Sequence, residues 1–303
     1  MQQPTVTTAD DPLPDLVLAL RSASAADRLR AAKDLGRLGW LARDAMPALV
    51  CALDDEDAKV RETAAHAIGG MGPEALPVLV RMLGHPDKYV RRNAVWALGK
   101  LGPLARPALP DLCQSLKDAD PRTASGAAQA LGNMGADGAD GVPALAEAMR
   151  GTNIVLCRLA SKALSQIGPP ALATLIAHLQ HADPFVRGES ALALGWMGTV
   201  ARSAVPFLAK VLRGSETALS YTPPPNPSPL PIPVDSESLT PTQTSGTEGT
   251  SAEMSCRVHA AQALGRIGPP ATVALVELRD AARHAPEPLR QAAQQAIRQI
   301  QAQ

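Results

Sequence analysis

Three residue types in this 303-residue chain could do chemistry, and one of them, arginine, recurs at a constant spacing from an acid. An arginine stands four residues after an acid at Asp57/Arg61, Asp87/Arg91 and Asp183/Arg187, and Glu253/Arg257 copies the spacing. Such a row of guanidinium groups could bind anions, but the constant acid points instead to structural Asp–Arg pairs near each turn. Six histidines (His66, His85, His178, His181, His259, His284) raise the question of metal. His178 and His181 could share a helix face, yet no carboxylate ligand set accompanies them, so no metal or other cofactor is expected. The four cysteines lie far apart, without a Cys-x-x-Cys pair, and read as small buried hydrophobes in a reducing compartment. Cys157 and Cys256 are the exceptions, because Arg158 and Arg257 adjoin them and a nearby cation lowers a thiol pKa. Recurring glycine pairs lack the spacing of a phosphate loop and read as helix C-caps. No paired carboxylates, Ser-His-Asp set or nucleophile elbow stands out, and no catalytic residue is assigned.

The elements that carry these residues are repeats. A Leu/Ile-Gly-x-Leu/Met/Ile-Gly signature ends at Gly39, Gly72, Gly102, Gly135, Gly168, Gly198 and Gly268, with Ser165 replacing the first glycine of the fifth copy. By subtraction the steps are 33, 30, 33, 33, 30 and 70 residues. A degenerate eighth copy closes the chain at Ile297–Ile300. Steps near 30 residues mark stacked supersecondary units. Each unit opens a first helix at Pro14, Pro47, Pro77, Pro110, Pro143 or Pro206, with Ala173 and Val273 at the equivalent places. Proline costs nothing in a first turn, whose N–H is unbonded anyway. Apolar residues follow two, three and six positions later, one stripe on a 3.6-residue helix. A second helix starts at the caps Asp57, Asp87, Asp120, Asn153 or Asp183, and a small residue follows in a fixed register, such as Ala64, Ala94 or Ala127.

The pattern Pro-x-Leu…Asp-x-x-Val-Arg-x-x-Ala-Ala-x-Ala-Leu-Gly-x-Leu-Gly resembles HEAT repeats, particularly the short phycobilin-lyase-like subgroup. The resemblance covers residues 13–213 and 254–300, with Ala124 and Cys157 in place of the arginine in repeats four and five. It implies an all-α superhelix, or solenoid, of about eight two-helix repeats. Residues 1–12 are expected to be a flexible tail, and 13–213 to hold repeats one to six with the first helix of repeat seven. Residues 214–253 read as a disordered, Pro/Ser/Thr-rich acidic insertion, and 254–303 as the rest of repeat seven with repeat eight. That insertion accounts for the 70-residue step. It carries five acids and no lysine or arginine, so it could fold back and compete with an acidic partner.

In HEAT-type arrays the second helices commonly line the concave face. If so, the positions five and nine after each arginine register point into a groove. They place His66, Trp96, Lys100, Lys162, Trp196 and Arg266 there, with Arg92, Arg158 and His259 on neighbouring rows. The groove reads as mildly basic although 29 basic and 29 acidic residues cancel. With 2% aromatic residues and three tryptophans, Trp96 and Trp196 are the interface anchors of choice, roughly 25–30 Å apart by helix spacing. The expected function is a protein-binding scaffold or adaptor, whose partner offers an acidic or extended segment. Two alternatives come from the resemblance: a phycobilin-lyase-like enzyme or subunit, and a nucleic-acid-binding HEAT-like protein. The neutral charge and the scarcity of aromatics count against nucleic acid. The iron-binding HEAT-type deoxyhypusine hydroxylases use His-Glu dipeptides, and none occurs here. The first residues show no signal-like segment and no apolar run approaches a membrane span, so a cytoplasmic protein is expected.

Overall fold

The computed structural model describes residues 12–214 and 248–302. Residues 1–11 of the expected N-terminal tail and residues 215–247 of the acidic insertion lie outside the described residues. Every regular element described is helical, and the chain divides into two compact units, residues 1–167 and 168–303.

The first unit contains five helix pairs: α1 (Leu13–Ala19) with α2 (Ala25–Leu38), α3 (Met46–Cys51) with α4 (Ala58–Gly69), α5 (Leu76–Leu83) with α6 (Lys88–Leu101), α7 (Leu109–Ser115) with α8 (Pro121–Asn133), and α9 (Val142–Met149) with α10 (Ile154–Ile167). The second contains three: α11 (Leu172–His178) with α12 (Pro184–Trp196), α13 (Val205–Arg213) with α14 (Glu248–Ile267), and α15 (Leu275–His284) with α16 (Leu289–Gln301). Within each unit every second helix packs on its own first helix and on the next second helix. This is the nearest-neighbour stacking of a repeat protein.

Local chemistry sets the helix limits. The prolines occupy the first turns of α1, α3, α5, α7, α9 and α13. The Asp57 carboxylate accepts from Lys59 N at 2.7 Å, and Asp120 accepts from Thr123 N at 2.9 Å, closing N–H groups the helix leaves open. Leu49, Leu79, Leu112 and Leu145 on first helices are fully buried, as are Ala64, Ala94, Ala127 and Ala160 on second helices. Each such leucine contributes about 1.5–3 kcal/mol by leaving water.

The two step lengths have one cause. In the 33-residue repeats a seven-residue 3-10 segment (Gly39–Ala45, Gly102–Ala108 or Gly135–Gly141) joins the helices. In the 30-residue repeats it shrinks to Pro73–Ala75 or Pro169–Ala171. The longer form adds about one turn of a helix with three residues per turn, so both forms deliver the next helix in register.

Three expectations change. Repeat eight has the long connection, Pro269–Ala274, so Val276 rather than Val273 holds the early α15 position, and Leu278 is the buried leucine. Helix α14 begins at Glu248, so residues 248–253 belong to a helix and not to the insertion. The paired glycines do two jobs instead of one. The second of each pair has φ between +54° and +90° and terminates the helix in a conformation that excludes most side chains. The first lies inside the helix: a Cβ on Gly132 would stand 2.9 Å from the Ala163 Cα, so its absence lets α8 and α10 meet closely.

Candidate functional site

In the first unit, the arginine register builds ion pairs between repeats, not within them. Arg61 reaches the Asp87 carboxylate of the following repeat at 2.5 Å, and its Nη1 donates to the Asp55 and Glu56 carbonyls of its own turn. Arg91 holds Asp118 at 2.7 and 3.0 Å, with Nη1 on the His85 and Pro86 carbonyls. The sequence rule paired Arg61 with Asp57 and Arg91 with Asp87, whereas Asp57 and Asp87 spend their own Oδ1 atoms on the backbone N–H groups of Lys59 and Tyr89. A helix start satisfies its own carboxylate locally, leaving each arginine free to span the seam.

Arg28 belongs to the same series, bidentate on Asp55 at 2.7 and 2.9 Å. Ser24 replaces the acid four residues before it, which hid Arg28 from the spacing rule. Arg28 holds the Asp55 carboxyl below the usual carboxylate range, against the opposing effect of burial. In the second unit Arg187 pairs with Glu253, the residue assigned to the insertion, rather than with Asp183, while Arg257 Nε donates to the Leu212 carbonyl at 2.8 Å.

Arg92, expected on a row beside the groove, is committed to an ion pair. It is half-buried and bound to Asp120, with Nε 2.7 Å from Oδ2, and lies 5.1 Å from the Tyr89 ring centroid. Arg92, helped by the Thr123 amide and hydroxyl, holds the Asp120 carboxyl far below the usual range. The thiol expectation is corrected. Cys157 and Cys256 are buried, and burial pushes the Cys256 thiol up to about 11 despite the nearby Arg187 and Arg257. The Cys157 thiol stands in the arginine register and donates to the Gly151 carbonyl at 3.1 Å.

The remaining candidates of the first unit are exposed on second helices. The His66 ring on α4 stacks on Trp96 of α6, with centroids 5.0 Å apart and planes at 23°. Lys100, one turn further on, sits 5.6 Å from the Trp96 ring centroid. Trp96 remains 44% exposed, enough to offer a face to a ligand. Lys33 on α2 and Arg158 and Lys162 on α10 are also exposed. In the second unit Trp196 ends α12 at 47% exposure, and Arg266 is exposed on α14. His259 is half-buried, its Nδ1 3.0 Å from the place a Gly188 Cβ would occupy.

The helical register missed Trp40, which is 61% exposed in the first 3-10 connection, with Arg43 5.8 Å from its ring centroid. A tryptophan just after a helix-ending glycine was the available signal. No group of three or more potential metal ligands occurs among the described residues, and no described helix is long and apolar enough to cross a membrane.

A family model described as HEAT repeats matches residues 13–86, 46–115, 76–156 and 142–219. The complex of CpcE and CpcF of phycocyanin lyase from Nostoc sp. PCC7120 is 21% identical, with a TM-score of 0.42, over 92% of this chain and 98% of that one. An engineered protein is 19% identical, with a TM-score of 0.47, over 95% and 78%. Human deoxyhypusine hydroxylase is 22% identical, with a TM-score of 0.38, over 96% of each chain. A search of curated proteins found no match.

Proposed function

The chain belongs to the HEAT-repeat family, and from that premise we propose that it is a scaffold binding an acidic, extended segment of another protein. The contact surface is the exposed row on the second helices of the first unit, read as its concave face. The stacked Trp96–His66 pair beside Lys100 carries this reading. An aromatic ring left 44% exposed in a chain with 2% aromatic residues is an anchor in search of a partner. The sign of the partner follows from Lys33, Lys100, Arg158 and Lys162, exposed cations along the same helices. Trp196 and Arg266 give the second unit a comparable offering.

The test is capture from lysate of the source organism with wild type and with Trp96→Ala. A captured protein should be lost from the variant, by roughly thirtyfold or more in affinity if Trp96 is a hot spot. Its acidic segment, made as a peptide, should bind more weakly as salt rises. Unchanged capture by a folded Trp96→Ala protein, or capture of nucleic acid instead, overturns the reading.

A further inference from the structure

The same register of the repeat carries different residues in the second unit. Where Trp96 closes over His66 between α4 and α6, the corresponding seam between α14 and α16 is open. A cavity of about 150 Å³ lies there, lined by Gln262, Arg266, Gln295, Gln299, Ala292 and Ala296. Aligned on the buried Ala260 and Ala293, Gln262 and Gln295 hold the register of His66 and Trp96, and Gln299 holds that of Lys100. Glutamine does not fill the space an indole fills.

The lining is chemically one-sided. Ala292 and Ala296 supply the apolar lining, and three carboxamides and one guanidinium supply the rest. Gln262, Arg266, Gln295 and Gln299 have no side-chain hydrogen bond or ion pair with another described residue. Neither 254–267 nor 289–301 contains an aspartate or glutamate, while Arg257, Arg266, Arg290 and Arg298 all lie within them. Arg257 is committed to the Leu212 carbonyl and Arg290 to Glu287. Arg266 is therefore the guanidinium at the cavity with its hydrogen-bonding edge unspent.

We propose that this cavity binds a glutamate or aspartate side chain of an extended acidic peptide, with Arg266 as the carboxylate fork and Gln262, Gln295 and Gln299 as flanking amide donors. A planar guanidinium matches a carboxylate with two parallel hydrogen bonds, and amide N–H groups can satisfy its outer lone pairs. The site deepens the scaffold reading by giving its acidic partner a specific anchor, and rests on that reading for the orientation of the peptide.

The experiment measures binding of a fluorescein-labelled, C-terminally amidated hexaglutamate peptide to the full chain by anisotropy. Arg266→Gln should weaken binding roughly tenfold or more, the scale of a lost charged hydrogen-bonded pair. Gln295→Ala, an exposed substitution that spares packing, should weaken it severalfold, and Arg298→Gln, on α16 outside the lining, should stay within twofold. Equal losses for Arg266→Gln and Arg298→Gln would show unspecific charge attraction and overturn the site. So would equal binding of a neutral peptide with a free C-terminus. Trp96→Ala separates the two ideas: loss with Trp96→Ala but not with Arg266→Gln removes the cavity alone, and the reverse removes the Trp96 surface alone.

Discussion

Arg92 on α6 grips Asp120, the residue that caps α8, so one carboxylate both starts a helix and ties it to the repeat before it. Removing that carboxylate breaks two things at once. Asp120→Ala should cost roughly 2 kcal/mol in denaturant unfolding, about half from the cap and half from the pair. Arg92→Ala should cost less, because the cap survives.

The same pair gives a pH signature. The Asp120 pKa is lowered in the folded protein, so its contribution is complete above the unfolded value of about 4 and fades as pH falls through the folded one. The stability gap between wild type and Asp120→Asn should be constant above about pH 5 and narrow below about pH 4. Thermal melts across pH 2–7 read it; a gap that widens in acid contradicts the assignment.

The two glycines of one signature should fail differently. Gly132→Ala drives a methyl against the Ala163 backbone and should cost about 1–3 kcal/mol by overpacking α8 against α10. Gly135→Ala meets nothing within 4 Å, and its φ of +58° should cost about 1–2 kcal/mol through the backbone alone. Gly135→Asn, which tolerates that conformation, should recover part of the loss, while Gly132→Asn should be worse than Gly132→Ala.

Thiol reactivity should follow burial and not the neighbouring arginines. Cys51 is exposed and should label with a disulfide reagent in the folded protein, whereas Cys157 and Cys256 should label only after unfolding. Mass spectrometry of the labelled peptides decides it. Fast labelling of Cys256 would contradict a thiol held near 11.

The His66–Trp96 stack should show coupling in a double-mutant cycle. Both rings are exposed, so the expected interaction is about 0.5–1.5 kcal/mol, with small single losses.

Much of the fold was legible in the chain because its determinants are local. Pro47 and Pro77 open helices, Asp57 and Asp120 cap them, and Gly72 and Gly102 end them through backbone rules that act within a few residues. The small register at Ala64 and Ala94 was readable for the same reason, since it repeats with the helix it serves. The row of Trp96, His66 and Lys100 could be placed by counting, because an exposed position is one the repeat does not need for packing.

What the sequence could not determine is which neighbour a side chain meets. Arg61 stands four residues from Asp57, yet it bonds Asp87, because stacking brings the following repeat's helix start within reach while the cap holds Asp57 in place. Gly132 and Gly135 look alike as letters, and only the approach of Ala163 gives the first a packing role. Cys256 beside Arg257 reads as an activated thiol until its burial is known, since desolvation depends on what covers it. The cavity beneath Arg266 is likewise a property of two helices together. Sequence fixes each helix by interactions along the chain; the seams between helices arise from volumes and charges contributed by residues some thirty positions apart, and only the packed structure decides those.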